Sequence, residues 1–268
     1  MRVRLLHCVA LGVMWTLSAC PATLAQAANE SFEYEPNVSL LGLNGGSGWT
    51  TYWFTGDPYG AWHTSSEGLS FSGLSSSGGS VVPFDAAECV AARGVETGGS
   101  GLTTYFSYLV RVPAAGDQAI SLGFYGDMAA FSTGLMQVPS GEMAFAIGAD
   151  PGFAFTEVPF VAHRTYLVTG SFYVDPGASP SLTASLWADP FAPLSTLYLD
   201  VPGDWSGGIT AIALQATGSS GYLLDEIYVG PDPRYPVVPE AGTLASLAGM
   251  VGLGGIGLLR RLQRRNRG

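Results

Sequence analysis

The residues of this sequence best suited to hold a ligand crowd into one stretch. Trp49, Tyr52, Trp53, Phe54, Tyr59 and Trp62 fall within fourteen positions, with Asn44, Asp57 and His63 beside them. Exposed aromatic faces with nearby amides and acids suit sugar rings, which offer one apolar face and a rim of hydroxyls. Tyr59, Trp62, His63 and Asp57 together form a candidate glycan-binding loop. Trp49 and Trp53 share strand parity, which favours core packing over a glycan-binding face.

Catalytic constellations are harder to find. His63 and His163 stand far from any metal-ligand spacing such as HExxH. Ser47 and Ser100 sit in Gly-Ser-Gly turns, without the strand-to-helix context that a nucleophile elbow needs. Asp225 is placed on an apolar strand, sharing parity with Leu223, Ile227 and Val229, which are expected to face inward. A buried carboxylate needs hydrogen bonds or a cation. Asp225 is therefore expected either to accept hydrogen bonds or to bind calcium, with Asp189 or Asp127 as partners. Apart from that calcium alternative no cofactor is expected, and the chain is read as not an enzyme.

The elements that must position these groups are strands. Segments Thr103 to Arg111, Tyr166 to Val174, Ser181 to Trp187, Ile209 to Ala216 and Tyr222 to Val229 are rich in β-favouring residues, several with period-two alternation. Breakers such as Asp150-Pro151-Gly152, Asp175-Pro176-Gly177 and Val201-Pro202-Gly203 separate them. About a dozen strands in roughly 200 residues predict an all-β, two-sheet jelly-roll sandwich.

Charge narrows the partners. The 268 residues include no lysine, and all eleven basic residues are arginine. Between residues 28 and 238 four arginines face twenty acids, a net charge of −16. A domain so acidic repels phosphate backbones, which excludes nucleic acid as a partner.

Both ends carry signals of export. Arg2 and Arg4, the apolar Leu5 to Ala19 and Ala25-Gln26-Ala27 make up a signal peptide over residues 1–27, cleaved after Ala27. Leu17-Ser18-Ala19-Cys20 offers lipidation at Cys20 as the alternative. After a β-sandwich domain at 28–230 and a proline-rich linker at 231–238 comes a tail at 239–268. There, Val238-Pro239-Glu240 precedes an apolar span at 243–259 and an arginine cluster that opens with Arg260 and Arg261. The arginines mark the cytoplasmic side of a transmembrane helix and leave the domain outside. With Cys8 and Cys20 removed, only Cys89 remains, so no intrachain disulfide is expected.

The order Val238-Pro239-Glu240, apolar span, arginine cluster resembles the PEP-CTERM sorting signal, although Ala241 stands where that family usually has proline. The resemblance implies an exosortase-like processing enzyme as partner and transient anchoring in the inner membrane. It also implies a final location in the cell envelope or extracellular matrix, among exopolysaccharide or biofilm material. Ser31-Phe32-Glu33-Tyr34, Leu41 to Trp49, Thr165 to Val168, Ser185 to Pro190 and Leu224 to Gly230 resemble pieces of laminin-G-like, concanavalin-type sandwiches. One branch of that fold hydrolyses glucans with a Glu-x-Asp-x-x-Glu strand. Here Tyr228 and Gly230 follow Asp225-Glu226 without the further acids, so the hydrolase pattern is absent. The expectation is a non-enzymatic exported surface or matrix protein whose sandwich binds carbohydrate or another surface component, or serves as structural filler. The alternatives are a glycan-active hydrolase, or a lipid- or tail-anchored adhesin.

Overall fold

Alternation with period two dominates the described chain, because each strand has one face on the core and the other turned away. The computed structural model describes residues 27–233 apart from 56–61, 72–77, 85–88, 100, 114–118, 128, 139, 141, 150–151, 176–178 and 218–220. The signal peptide, the sorting residues Val238, Pro239, Glu240, Arg260 and Arg261 and the apolar span at 243–259 lie outside the described residues. Among the described residues no helix is long and apolar enough to cross a membrane.

Fourteen strands are described, two more than the sequence suggested. They are β1 (Ala28–Glu30), β2 (Trp62–Ser65), β3 (Ser80–Pro83), β4 (Cys89–Gly94), β5 (Thr103–Arg111), β6 (Ala119–Tyr125) and β7 (Ala130–Gln137). The second half supplies β8 (Met143–Ala149), β9 (Gly152–Glu157), β10 (Thr165–Tyr173), β11 (Ser181–Trp187), β12 (Pro193–Asp200), β13 (Ala211–Thr217) and β14 (Leu223–Gly230). One sheet has eight strands in the order β12-β11-β10-β5-β14-β3-β2, with β1 also paired to β14. The other has six, in the order β4-β13-β6-β7-β8-β9, and all the pairings in both are antiparallel. The described domain is all-β, with two facing sheets around one main core.

That core is aromatic at one end. Phe131 of β7 packs on Phe124 of β6 at 4.7 Å, on Phe172 of β10 at 4.9 Å and on Trp205 at 5.4 Å. Trp205 belongs to the connection before β13, so its burial pins the 202–208 loop across the end of the sandwich. Cys89 is buried and forms no disulfide among the described residues.

The N-terminal segment is held by a buried ion pair. The Arg93 guanidinium and the Glu30 carboxylate are in direct contact, each 1% exposed. Arg93 also donates to Thr51 O (2.9 Å), Asn44 Oδ1 (2.7 Å) and Gly45 O (2.9 Å), and lies over the rings of Trp49 and Trp53. Glu30 accepts from Phe32 N (3.0 Å), Tyr34 Oη (3.0 Å) and Trp53 Nε1 (3.3 Å). Burial, and then the Glu30 charge, push the Tyr34 phenol up to about 12. Satisfied on all these sides, the pair ties residues 44–53 to β4.

A second, smaller cluster covers the outer face of the eight-stranded sheet. Leu69 and Phe71 lie over Leu109, Leu167, Trp187 and Leu223. Asp225 is on this face too, which corrects the inward parity read from the sequence. A bulge between Asp225 and Tyr228, with Glu226 at φ 51°, shifts the alternation. Leu223 and Asp225 therefore point outward while Ile227 and Val229 join the main core.

Candidate functional site

Of the four ligand-binding residues expected from the sequence, Trp62 and His63 are among the described residues. Trp62 is 0% exposed and packed in the main core, so its ring offers no face to a sugar. His63, the next residue on β2, turns the other way and stacks on Phe84 with centroids 4.2 Å apart. Tyr59 and Asp57 lie outside the described residues. Trp49 and Trp53 pack against each other, around Arg93.

Nor do the two carboxylates expected at a calcium site come together. Asp225 is fully buried and accepts from Leu69 N (2.8 Å) and Glu226 N (2.7 Å). Burial raises its carboxyl to about 8, against the pull of those two hydrogen bonds. Asp189 is exposed and caps its own turn, accepting from Phe191 N (3.0 Å) and Ala192 N (3.4 Å). Asp225 pairs with Leu109, Leu109 with Leu167, and Leu167 with Trp187, so two strands lie between β14 and the strand that leads to Asp189. Among the described residues no group of three or more His, Cys, Asp or Glu is placed to hold a metal.

A concave surface lies on the other sheet. In the six-stranded sheet the core takes Ile120, Leu122 and Phe124, then Leu135, Phe145, Ile147, Ile212 and Leu214. The alternate positions form the outer face, and they are small. Following the register from edge to edge, one row reads Phe54, Ala92, Ala213, Gly123, Ser132, Gly148, Phe153. A phenylalanine stands at each end, with five small residues between. At about 4.8 Å per strand the row spans ~29 Å, the length of several sugar rings. The adjacent row, Val90, Gln215, Ser121, Gly134, Ala146, Phe155, is small from Ser121 to Ala146, with valine and glutamine at its β4 end.

Small residues on a sheet face leave a trough, because no side chain rises from the floor. Two contiguous depressions occupy it, of about 900 and 160 Å³, which share Ser132 and Gly148. The 202–208 loop, through Pro202 and Gly203, closes the larger one at its end. At the β9 edge Phe153 and Phe155 are half exposed with centroids 5.7 Å apart. The Phe153 ring leans over Gly148, where an added Cβ would lie 3.2 Å from it.

Polar groups line the opposite wall. Gln215 Nε2 donates to Tyr125 Oη at 2.8 Å, and Ser121 Oγ donates to Gln215 Oε1 at 3.2 Å. Burial raises the Tyr125 phenol, with the Gln215 bond opposing it, so the hydroxyl stays neutral and able to donate. Asp127, exposed, is the carboxylate among the described lining residues. The arrangement offers aromatic platforms, a flat small floor and a few oriented donors and acceptors, which suits a polyhydroxylated chain.

No protein-family model matches the chain, and no curated protein does either. Solved structures similar to it are β-sandwiches at low identity. The CBM2 module of the evolved Dit of Lactobacillus casei BL23 phage J-1 is 11% identical, covering 77% of this chain and 96% of its own, with a TM-score of 0.44. The globular domain of T. cruzi calreticulin is 13% identical, covering 74% and 95%, with a TM-score of 0.45. The endo-β-1,4-glucuronan lyase of Trichoderma reesei is 10% identical, covering 75% and 96%, with a TM-score of 0.41. A GH43 glycoside hydrolase and alginate lyases are also among the similar structures. The expectation that the chain is not an enzyme is therefore withdrawn: polysaccharide-cleaving enzymes stand beside binding modules at this level of likeness. Such likenesses describe a sandwich and assign no residue or reaction to this chain.

Proposed function

We propose that this protein is an exported glycan-binding protein whose site is the trough on the outer face of the six-stranded sheet. The observation that carries the reading is the cross-strand row from Phe54 to Phe153, with aromatic ends and a floor of Ala, Gly and Ser. Sugar rings stack on the two walls, while Tyr125, Gln215 and Ser121 orient hydroxyls between them. The sequence signals at the two ends support delivery across the inner membrane and processing by an exosortase-like enzyme. In that setting the ligand is an exopolysaccharide of the envelope or matrix.

The test is retention of the protein in affinity gels cast with polysaccharides. Phe153→Ala and Phe155→Ala should each weaken retention roughly tenfold, about 1.4 kcal/mol, with the unfolding midpoint little changed. Both rings are half exposed, so their removal costs the core little. Unaltered retention in the double variant would sink the assignment of the trough.

A second reading, cleavage of the bound glycan, is favoured by the two titratable groups at the closed end, Tyr125 and Asp127. Glycosidases ordinarily use a pair of carboxylates, so Asp127 would need a second acid from outside the described lining. Release of reducing ends by the wild-type protein, abolished by Asp127→Asn, would establish it.

A further inference from the structure

We infer that the trough takes an uncharged polysaccharide and rejects polyuronates and sulfated chains. This rests on the glycan reading above and follows from where the cations of this chain are. Carboxylate-bearing sugars are held by arginine or lysine, which supply charge and paired donors in one group. The chain has no lysine, and its domain has four arginines.

Three of those four are committed elsewhere. Arg93 is 1% exposed, sits between the sheets and spends its guanidinium on Glu30, Thr51, Asn44 and Gly45. Arg111 is on the eight-stranded sheet and donates to Glu67 at 2.6 Å. Arg164 precedes β10 and donates to Ala188 O at 2.7 Å. Phe172, eight residues along that strand, is the one that packs against Trp205 at the trough end. Eight residues of strand place Arg164 ~27 Å from that contact. Arg234 is outside the described residues.

What the trough does present is neutral or negative. Its described lining is Gly, Ala, Ser, Phe, Tyr, Gln, Pro and aliphatic residues, with Asp127 as the charged member. Glu157 follows Phe155 on the same face of β9. Around it the domain carries a large net negative charge, which adds repulsion toward any polyanion at low ionic strength. An uncharged glycan meets none of this and loses nothing by the lack of a cation.

The experiment compares the full-length chain in detergent on affinity gels containing glucan, xylan or mannan with gels containing alginate or pectate. Each gel is run at low salt, once with EDTA and once with Ca2+. At least one neutral polysaccharide should retain the protein, and alginate and pectate should do so at least about tenfold more weakly under both conditions. Alginate retained as tightly as the best neutral glycan, through Ca2+ or through Arg234 (read from Arg234→Ala), overturns this inference and leaves the glycan reading intact. Retention by no polysaccharide overturns both. Ala130→Arg adds a cation to the exposed lining of the larger depression, so it should raise alginate retention without a change in the unfolding midpoint. No gain in a folded Ala130→Arg protein overturns the electrostatic argument for this trough.

Discussion

Replacing Arg93 by methionine tests the reasoning about the N-terminal segment most directly. The substitution keeps much of the stem and removes the guanidinium. It leaves the Glu30 carboxylate buried at 1% exposure, with Phe32 N, Tyr34 Oη and Trp53 Nε1 as its remaining donors. It also strips a donor from Thr51 O, Asn44 Oδ1 and Gly45 O. Breaking a buried pair on one side costs about 3–5 kcal/mol. The donors kept by Glu30 point to the lower end of that range, and the orphaned acceptors add to it. Urea unfolding followed by tryptophan fluorescence reads the change, since Trp49 and Trp53 flank the guanidinium. Glu30→Gln in the Arg93→Met background removes the stranded charge and should recover at least about 1.5 kcal/mol of the loss. Phe54, which ends the trough row, follows directly on the tied residues 44–53, so glycan retention should fall in Arg93→Met at denaturant levels where the domain stays folded. A loss below about 1 kcal/mol, with additive behaviour in the double variant, would refute the pair as the tie.

Other changes have defined signs. Asp225 has a folded-state carboxyl raised to about 8 from an ordinary value of 3.8, so its contribution is most favourable when protonated and is lost as pH rises between those values. Stability of the wild type relative to Asp225→Asn should therefore fall by up to ~1.4 kcal/mol per pH unit from pH 4 toward 8, measured by urea unfolding; a difference independent of pH would remove the claim. Gly148→Val puts a Cβ 3.2 Å from the Phe153 ring and a branched side chain on the trough floor. Glycan retention should drop about tenfold while the melting temperature holds or rises, because valine suits a strand better than glycine. Gly170→Ala places its methyl 2.1 Å from Phe106 Cζ inside the core and should cost about 1–3 kcal/mol by calorimetry.

The strands were largely legible because alternation is a local property. Thr103–Arg111 and Ser181–Trp187 lie where the sequence puts them, and the last two strands are displaced by one or two residues. The parity of Asp225 was not legible, since one bulged residue, Glu226, reverses every inference drawn across it. Trp62 misled for a related reason. Trp62 and Thr64 alternate with His63, and which of the two faces is buried depends on the partner strand, not on the aromatic ring.

The trough was illegible for a deeper reason. Its floor consists of residues that in sequence read only as breakers or fillers: Gly123, Gly134, Gly148 and Ala146 come from the consecutive strands β6, β7 and β8, and Ala213 from β13 much later in the chain. None signals anything alone. They acquire meaning when the register lays them side by side and sets Phe54 and Phe153 at the two ends. A sheet that served only to cover the core would gain from branched residues on its outer face, which favour strands and shield the backbone. This sheet forgoes them from Ala92 to Gly148 in one row and from Ser121 to Ala146 in the next, where Val90 is the branched residue at the β4 end, and it has no cation on that face among the described residues. Both absences run in one direction, toward a surface shaped for a long, flat, uncharged chain.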